Sequence, residues 1–425
     1  MSQFLDKKAM ENGTKFLIYA QNKKLEGFEQ PEVVYLNSPP HTIKAGPEDN
    51  RMYAVDAKNK RPYTVQGPPY QGPSYPPVEP NDQGHFDYIS PNDRTFSSMT
   101  MYATVRRVLE IWEDYFGHTI QWPFDNAKLE LIPRVEWNNA QSGPGFLEFG
   151  FGRKENGEID YTSPYCENFD ILAHEIGHTI KNSIIGRPSS RSKETLEYHG
   201  HHEAFGDIVA IVASLHFNSN VDKLLYKTKG NLFSINELSR VGELDKAREI
   251  RIAFNDKKMS DVGSEEHEMS EPFTGGVFDI LIEVYQNNLA ERGLISRELG
   301  KRAYHASPDQ VSSIQEEFRK LYEGKEAQFK QSLLDARDFF GKLMALAWSK
   351  TSSENLRYWK VMNNIIEADQ ELSNGKFKDV IIDCFDWREI VEEKDEQPLL
   401  RTHIVKELVN FEALYQIKDS NYMNS

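Results

Sequence analysis

Two histidines and a glutamate in the segment His174-Glu175-Ile176-Gly177-His178 are the residues of this chain best suited to chemistry. Histidines four residues apart in an α-helix project from the same face, because four residues turn the helix by one turn plus about 40°. Two imidazoles so placed can bind one metal ion, and Glu175 would then lie beside a water on that ion without being a ligand. The spacing therefore predicts one catalytic zinc ion and hydrolytic chemistry.

The residues around this segment predict that it lies within an amphipathic helix. Asn168 and Asp170 are typical of a helix start, and the apolar pattern that follows continues until Gly186-Arg187-Pro188 ends it. A helix of roughly 15 residues results, as the metal site requires. The alternative is a chance occurrence of a short motif, in which case the histidines belong to a polar helix face with a salt bridge.

Glu203 is the candidate for the third metal ligand. A catalytic zinc ion needs three protein ligands and one open position for water, and the residues after His178 do not continue with the glycine and third histidine of the metzincin pattern. Glu203 lies 25 residues after His178, in a stretch whose apolar pattern is helical. Asp207 follows four residues later on the same face, where its carboxylate can accept the N–H of a ligating histidine and fix its tautomer.

Three histidines close to Glu203 leave an alternative open, since any of them could replace it as a ligand. We interpret them as helix-entry residues that are partly exposed to solvent at the rim of a cleft. Only Glu203 is followed four residues later by an acid that could orient a ligand. The three are His199, His201 and His202.

This pattern of residues resembles the thermolysin-like branch of the gluzincin metallopeptidases. The resemblance rests on Asn139-Ala140-Gln141 before the glycine-flanked Phe146–Gly152, on Asp170-x-x-Ala173, on His174-Glu175-x-x-His178, and on Glu203-Ala204-x-Gly206-Asp207. It covers roughly residues 97–350, and only its metal-binding stretches are highly specific. It implies an α+β fold of two lobes, with a mixed N-terminal lobe that contains an edge-strand sheet, a mainly helical C-terminal lobe, and the zinc helix at their junction.

The resemblance also implies a role for each residue that matches it. Glu175 would act as general base and then as general acid, and Asp207 would orient a ligand. In this family an Asn-Ala pair like Asn139-Ala140 lies on an edge strand that pairs with the substrate backbone. A substrate would accordingly extend along Phe146–Gly152 and add its own backbone to that edge. The zinc ligands would be His174, His178 and Glu203.

A positive or hydrogen-bonding group opposite the metal is needed to stabilise the oxyanion that forms during peptide hydrolysis. The family uses a histidine in a later helical segment, and His267 matches it in chain order. The acidic partner of this histidine stays open among Asp261, Glu265 and Glu266. Tyr198 is a further candidate for assisting the oxyanion, although its position departs from that of the family's tyrosine.

An arginine that grips the substrate carbonyl beyond the scissile bond is the last part that the resemblance implies. Arg251 matches it by position, with Arg240 and Arg248 as alternatives. Calcium ions accompany several enzymes of this kind. No stretch of this chain has the spacing of a calcium loop, so no motif supports Ca²⁺ here.

The composition of the whole chain limits its other functions. Its 425 residues are 39% hydrophobic and 27% charged, and a formal net charge of −16 argues against nucleic acid and anionic membrane surfaces as partners. The family resemblance implies a peptide or protein substrate. No apolar run is long enough to insert into a membrane, and the first residues lack the apolar core of a secretory signal. We expect a cytoplasmic protein, or export by a route without such a signal, and free thiols at Cys166 and Cys384.

Composition and periodicity divide the chain into four parts. A Pro-, Gly- and Tyr-rich stretch at 66–80 must be extended, and we expect it to cover the protein's own surface. The four parts are residues 1–95, an N-terminal extended and Pro-rich segment; residues 96–186, an α+β lobe that carries the zinc helix; residues 187–370, a helical lobe that carries Glu203 and His267; and residues 371–425, a C-terminal appendage.

Three functions are compatible with these residues. The first is an endopeptidase with a thermolysin-like site. The second is an aminopeptidase of the wider gluzincin group, although the chain lacks the Gly-x-Met-Glu-Asn segment that usually holds the substrate amino terminus. The third is a non-enzymatic binding protein that keeps the fold. The intact Glu175 argues against the third, because a structural zinc site does not need that acid and is usually closed by a fourth protein ligand.

Overall fold

The computed structural model describes residues 2–64, 67–154, 156–234, 236–241, 251–307 and 309–392, which form a mixed α+β fold that is mostly helical in its C-terminal part. The N-terminal elements are α1 (Ser2–Asn12), β1 (Thr14–Ile18), β2 (Glu32–Leu36), β3 (Met52–Ala54), α2 (Thr95–Phe116), β4 (Leu129–Ile132), β5 (Ala140–Gly143), β6 (Phe146–Phe149), β7 (Phe151–Arg153) and β8 (Ile159–Pro164). The later elements are α3 (Phe169–Ile184), α4 (Leu196–Ser214), α5 (Asn218–Thr228), β9 (Arg240–Val241), β10 (Arg251–Ile252), α6 (Glu266–Glu291), α7 (Arg297–Tyr304), α8 (Val311–Tyr322), α9 (Glu326–Ser349), α10 (Tyr358–Ser373) and α11 (Lys378–Asp386).

The main sheet has four strands in the order β3-β4-β6-β5, so β5 is one of its edges. Strands β3, β4 and β6 run parallel, and β5 pairs antiparallel with β6. The prediction that Phe146–Gly152 is the edge strand is therefore wrong. Its first half is β6, whose two sides are occupied by β4 and β5, and Gly150 separates it from β7 in another sheet. Gly150 lies so close to the carbonyl of Trp137 that a Cβ atom would collide with it.

Helix α3 confirms the helix predicted around the two histidines. The side chain of Asn168 caps its first turn by accepting hydrogen bonds from the amides of Asp170 and Ile171. The helix packs between edge strand β5 on one side and α4 on the other. It thus lies where the sheet meets the helical part, and one continuous hydrophobic core, from Leu5 to Ile390, surrounds it.

A strap formed by residues 57–64 and 67–75 crosses one face of the main sheet. Beneath it lie two glutamates with no exposed surface, Glu130 on β4 and Glu148 on β6. Lys60 Nζ donates to Glu148 at 2.5 Å, and the Tyr63 amide donates to the same carboxylate at 2.7 Å. Glu130 accepts from the Tyr63 hydroxyl at 2.7 Å and from the Tyr70 amide at 2.8 Å. The Pro-rich stretch therefore covers the protein's own surface.

The remaining boundaries differ from the predicted parts at both ends of the chain. Residues 1–95 contain α1 and three paired strands as well as the strap, so they are not only an extended segment. In the predicted appendage 371–425, α11 packs on α6, and buried Arg388 donates to Asp279 at 2.8 Å. Residues 393–425 lie outside the described residues. Among the helices that the structure describes, none has the length and apolar character needed to cross a membrane.

Candidate active site

Two glycines allow α3 and α4 to approach each other closely. A Cβ atom on Gly177 would lie 2.8 Å from the Cα of Gly206, and one on Gly206 would lie 2.6 Å from Nδ1 of His174. Any larger side chain at either position would push the helices apart or displace the His174 ring. The pair therefore lets residues of α3 and α4 face one another across a short distance.

The candidate metal ligands converge at this crossing. Nε2 of His174 lies 3.4 Å from Glu203 Oε2, and Nε2 of His178 lies 3.6 Å from Glu203 Oε1. Ligands that are each about 2.1 Å from one ion in tetrahedral geometry lie about 3.4 Å apart. All three side chains are buried, and Glu203 Oε2 has no hydrogen-bond partner among the described residues. Two imidazole nitrogens and a carboxylate at these distances are donors that fit a metal cation.

Glu175 lies beside this group. Its carboxylate, His174 and His178 offer ligand atoms that all lie within 4.8 Å of one another, so these residues could hold a metal ion. Glu175 is buried, and its Oε1 has no hydrogen-bond partner among the described residues. Burial raises its pKa to about 7, even though the positive charge of His174 and a hydrogen bond from the backbone of Ser142 act in the opposite direction. A carboxylate of this kind can take up and release a proton near neutral pH.

Asp207 orients His174 and is itself held by Arg251. Its Oδ1 lies 2.9 Å from His174 Nδ1, and Arg251 donates to the same carboxylate through Nε at 2.7 Å and Nη2 at 2.6 Å. Burial would raise the pKa of Asp207, but the charge of Arg251 and the bond to His174 outweigh it and lower the pKa. Arg251 Nη1 also lies 3.6 Å from Glu203 Oε2. The predicted role of Arg251 in gripping a substrate carbonyl stays a prediction, and Arg248 lies outside the described residues.

The two candidate histidine ligands differ in their affinity for protons. Burial and the charge of Arg251 would lower the pKa of His174, but its hydrogen bond to Asp207 and the nearby carboxylate of Glu203 raise it to about 9. Burial lowers the pKa of His178 to about 3, so this imidazole is neutral. A metal ion must therefore displace a proton from His174 and none from His178.

His267 faces the same carboxylate from the first turn of α6. Its Nε2 lies 3.3 Å from Glu203 Oε2, and its Nδ1 lies 2.5 Å from Glu265 Oε1. Of the three acids that the sequence left open, Glu265 is therefore the partner. Its other oxygen accepts from the amide of Glu268 and so caps α6. Asp261 instead accepts from the backbone amide of Lys258.

A cleft of about 540 Å³ opens above these residues, between β5 and the crossing of α3 with α4. Its lining includes Glu175, His178 and Glu203, so the candidate catalytic residue and two of the candidate metal ligands lie at its base. The side near the sheet edge is formed by Pro123, Phe124, Gln141, Ser142, Gly143 and Pro144. The side near the helices is formed by Thr179, Asn182, Arg187, Glu194, Tyr198, His199, His202 and Glu266.

The predicted substrate-binding pair on the edge strand lies at its beginning. Ala140 is the first residue of β5, and Asn139 precedes it, with both side chains buried. Asn139 accepts at its backbone carbonyl from the amide of Gly150 at 2.8 Å. Later residues of the same strand, Ser142 and Gly143, line the cleft. The strand edge next to the candidate metal ligands is therefore formed by Ser142 and Gly143.

The three histidines that could have replaced Glu203 have different positions. His199 is half-buried at the cleft rim, 3.9 Å from Glu194, as predicted. His201 is fully buried and packs edge-on against Phe205 and Phe273, so the prediction of partial exposure is wrong for it. His202 stacks on the ring of His178, with ring centroids 4.1 Å apart and an angle of 11° between the rings.

Tyr198, the further candidate for assisting the oxyanion, lines the helical side of the cleft. Its hydroxyl lies 3.5 Å from the carbonyl of Gly186, and Lys181 Nζ lies 3.5 Å from the centre of its ring. Sequence reasoning missed this buried lysine, which stands three residues after His178 on α3. The sequence gave no signal for the contact between Lys181 and Tyr198, because the two residues lie on different helices, α3 and α4.

Comparisons with known proteins do not assign the chain to a family. No protein-family model matches it, and no curated protein matches it either. The class of the protein is therefore argued from its own residues and from the geometry of the cleft.

Proposed function

We propose that this protein is a zinc-dependent metallopeptidase that cleaves internal peptide bonds. One observation carries the proposal. The imidazoles of His174 and His178 lie 3.4 and 3.6 Å from the carboxylate of Glu203, which are the distances expected between ligands of one ion, and Glu175 lies beside them. Two histidines and a glutamate are a ligand set typical of catalytic zinc, and they leave a position for water. A purely structural site would not need the carboxylate of Glu175 beside its ligands.

The chain's own side chains supply the proton transfers. When bound, zinc would lower the pKa of a water molecule to about 7 and polarise the substrate carbonyl. Glu175 takes a proton from the attacking water and then delivers it to the leaving amine. His267 donates through Nε2 to the developing oxyanion, and Glu265 keeps its ring in that orientation. Asp207 holds His174 in the tautomer whose Nε2 is free to bind the metal.

The cleft supports an extended peptide as the substrate. Strand β5 is an edge, and its residues Ser142 and Gly143 lie in the cleft lining. An extended peptide can pair its backbone with such an edge, which would hold a peptide bond next to the metal. A cleft of about 540 Å³ has room for residues on both sides of the scissile bond.

An aminopeptidase is the second candidate, and one observation favours it. Glu194 and Glu266 line the cleft in addition to Glu175 and Glu203. Either carboxylate could hold a substrate amino terminus by charge attraction. Peptides with blocked amino termini separate the two candidates, because an endopeptidase still cleaves them and an aminopeptidase does not.

The test is cleavage of a diverse peptide mixture by the zinc-loaded protein, with products identified by mass spectrometry. We expect internal cuts by the wild type and a rate lower by about 10²–10⁴-fold in Glu175→Gln, because general acid–base catalysis is lost. Both proteins should bind one zinc ion. Glu158→Gln, at an exposed acid in the β7–β8 turn, is the control. A Glu175→Gln protein that cleaves at the wild-type rate would refute the proposal.

A further inference from the structure

One candidate metal ligand, His178, lacks the hydrogen-bonded partner that usually fixes a ligating imidazole. His174 has Asp207 at its Nδ1, and His267 has Glu265 at its Nδ1. The Nδ1 of His178 is buried and has no hydrogen-bond partner among the described residues. Ligating histidines almost always donate this N–H, because the bond fixes the orientation of the ring. Something else must hold the His178 ring in place.

The face of the His178 ring is covered by His202. The two rings are nearly parallel, at an angle of 11°, and their centroids are 4.1 Å apart. Nδ1 of His202 is also buried without a hydrogen-bond partner in the described part of the chain, so no bond at that atom explains the position of the ring. His202 immediately precedes Glu203 on α4, and one turn of helix therefore supplies both a ligand and the stacked ring.

We propose that His202 is a positioning residue that fixes the ring plane of His178 by stacking. Rotation of the His178 ring about its Cβ–Cγ bond would carry Nε2 away from Glu203 Oε1, which lies 3.6 Å from it. A parallel ring at 4.1 Å blocks that rotation, since a turned ring would collide with it. The stacked ring takes the place of the missing hydrogen bond. This inference rests on the metal function proposed above.

The geometry distinguishes this role from that of a fourth ligand. The His178 and His202 rings are nearly parallel, 4.1 Å apart, so an ion in the plane of the His178 ring lies out of the plane of the His202 ring, where the nitrogen lone pairs of His202 do not point. A stacking role requires a planar ring at position 202 and no nitrogen atom. A ligand role requires the nitrogen. The two roles therefore predict opposite results for a phenyl ring at this position.

The test compares His202→Phe, which keeps a flat ring, with His202→Leu, which has similar bulk and no ring. Zinc affinity is measured by competition with a chelator, and the visible spectrum of the Co²⁺-loaded protein reports the ligand geometry. We expect His202→Phe to retain wild-type affinity and spectrum. We expect His202→Leu to bind zinc about 10-fold more weakly, with an altered spectrum. His199→Leu, at the neighbouring rim histidine, is the control and should bind zinc as the wild type does.

The outcomes separate this inference from the proposed function. Equal wild-type affinity in the Phe and Leu variants would overturn the stacking role. Equal loss in both would overturn it as well, because the nitrogen would then be the important feature. Far-ultraviolet circular dichroism of the metal-free variants shows whether they are folded, and His202→Ala replaces the Leu variant if it is not. A wild type that binds no zinc would overturn the proposed function and this inference with it.

Discussion

Replacement of Asp207 by asparagine tests how the candidate metal site is held together. The carboxylate accepts from His174 Nδ1 at 2.9 Å and from Arg251 at 2.7 and 2.6 Å, in a position with no exposed surface. An asparagine has the same shape but keeps only one acceptor oxygen, and its NH₂ group then faces a donor of Arg251. It also removes the negative charge that faces the half-buried guanidinium of Arg251.

The magnitude follows from those contacts. Loss of one partner of a buried, hydrogen-bonded ion pair costs about 3–5 kcal/mol, because the other charge stays buried without compensation. We therefore expect Asp207→Asn to lower the free energy of unfolding of the metal-free protein by about that amount at pH 7.5. The lowered pKa of Asp207 means that the wild-type carboxylate is ionised at this pH. Zinc affinity should fall by about 10–100-fold, because His174 loses the partner that fixes its tautomer.

The assay combines urea denaturation in the presence of a chelator with zinc binding measured by competition. Asp279→Asn is the matched control, since Asp279 is equally buried and pairs with buried Arg388 at 2.8 Å. Asp279 lies 12 residues after His267 on α6, about 18 Å along the helix. This variant should bind zinc normally, because it removes a buried carboxylate that does not contact the candidate metal ligands. Wild-type zinc affinity in Asp207→Asn, or the same loss in both variants, would refute the reasoning.

Three further predictions concern other parts of the molecule. The pKa of Glu175 is raised to about 7, so between pH 4.5 and pH 7 the metal-free folded protein holds a proton that the unfolded chain loses. As the pH rises from 4.5 to 8, the wild type should therefore lose about 3 kcal/mol of stability relative to Glu175→Gln. Urea midpoints that depend on pH equally in both proteins would contradict this. Glu265→Gln should reduce kcat by about 10-fold through a misplaced His267 and leave zinc affinity unchanged, as steady-state kinetics and chelator competition would reveal. Lys60→Met should cost about 3–5 kcal/mol by leaving the Glu148 carboxylate without a counter-charge, and limited proteolysis should then cut the strap faster than in the wild type.

The parts of this site that could be predicted from sequence are those set by local periodicity. His174 and His178 face the same way because one helix carries both, and that helix is marked by an Asn cap and a closing glycine. Glu203 could be found because a second apolar helical stretch places Asp207 one turn beyond it. These inferences need no knowledge of how distant segments meet.

The features that escaped prediction depend on contacts between distant segments. Strand β6 is internal because β4 pairs with it in parallel, and no local signal in Phe146–Phe149 specifies that partner. The stacking of His202 on His178 depends on the crossing of α3 with α4, which Gly177 and Gly206 make close. Glu265 became identifiable as the partner of His267 only once the first turn of α6 was placed.

The strap has a consequence for the order in which this protein can assemble. Lys60 binds Glu148, 88 residues further along the chain, and Tyr70 binds Glu130, 60 residues further along. During synthesis the strap leaves the ribosome first, yet the strands that it covers follow much later. Its tyrosines must stay exposed until then, and closing such long loops is slow. The buried carboxylates of Glu148 and Glu130 therefore gain these partners only when chain segments 88 and 60 residues apart have met.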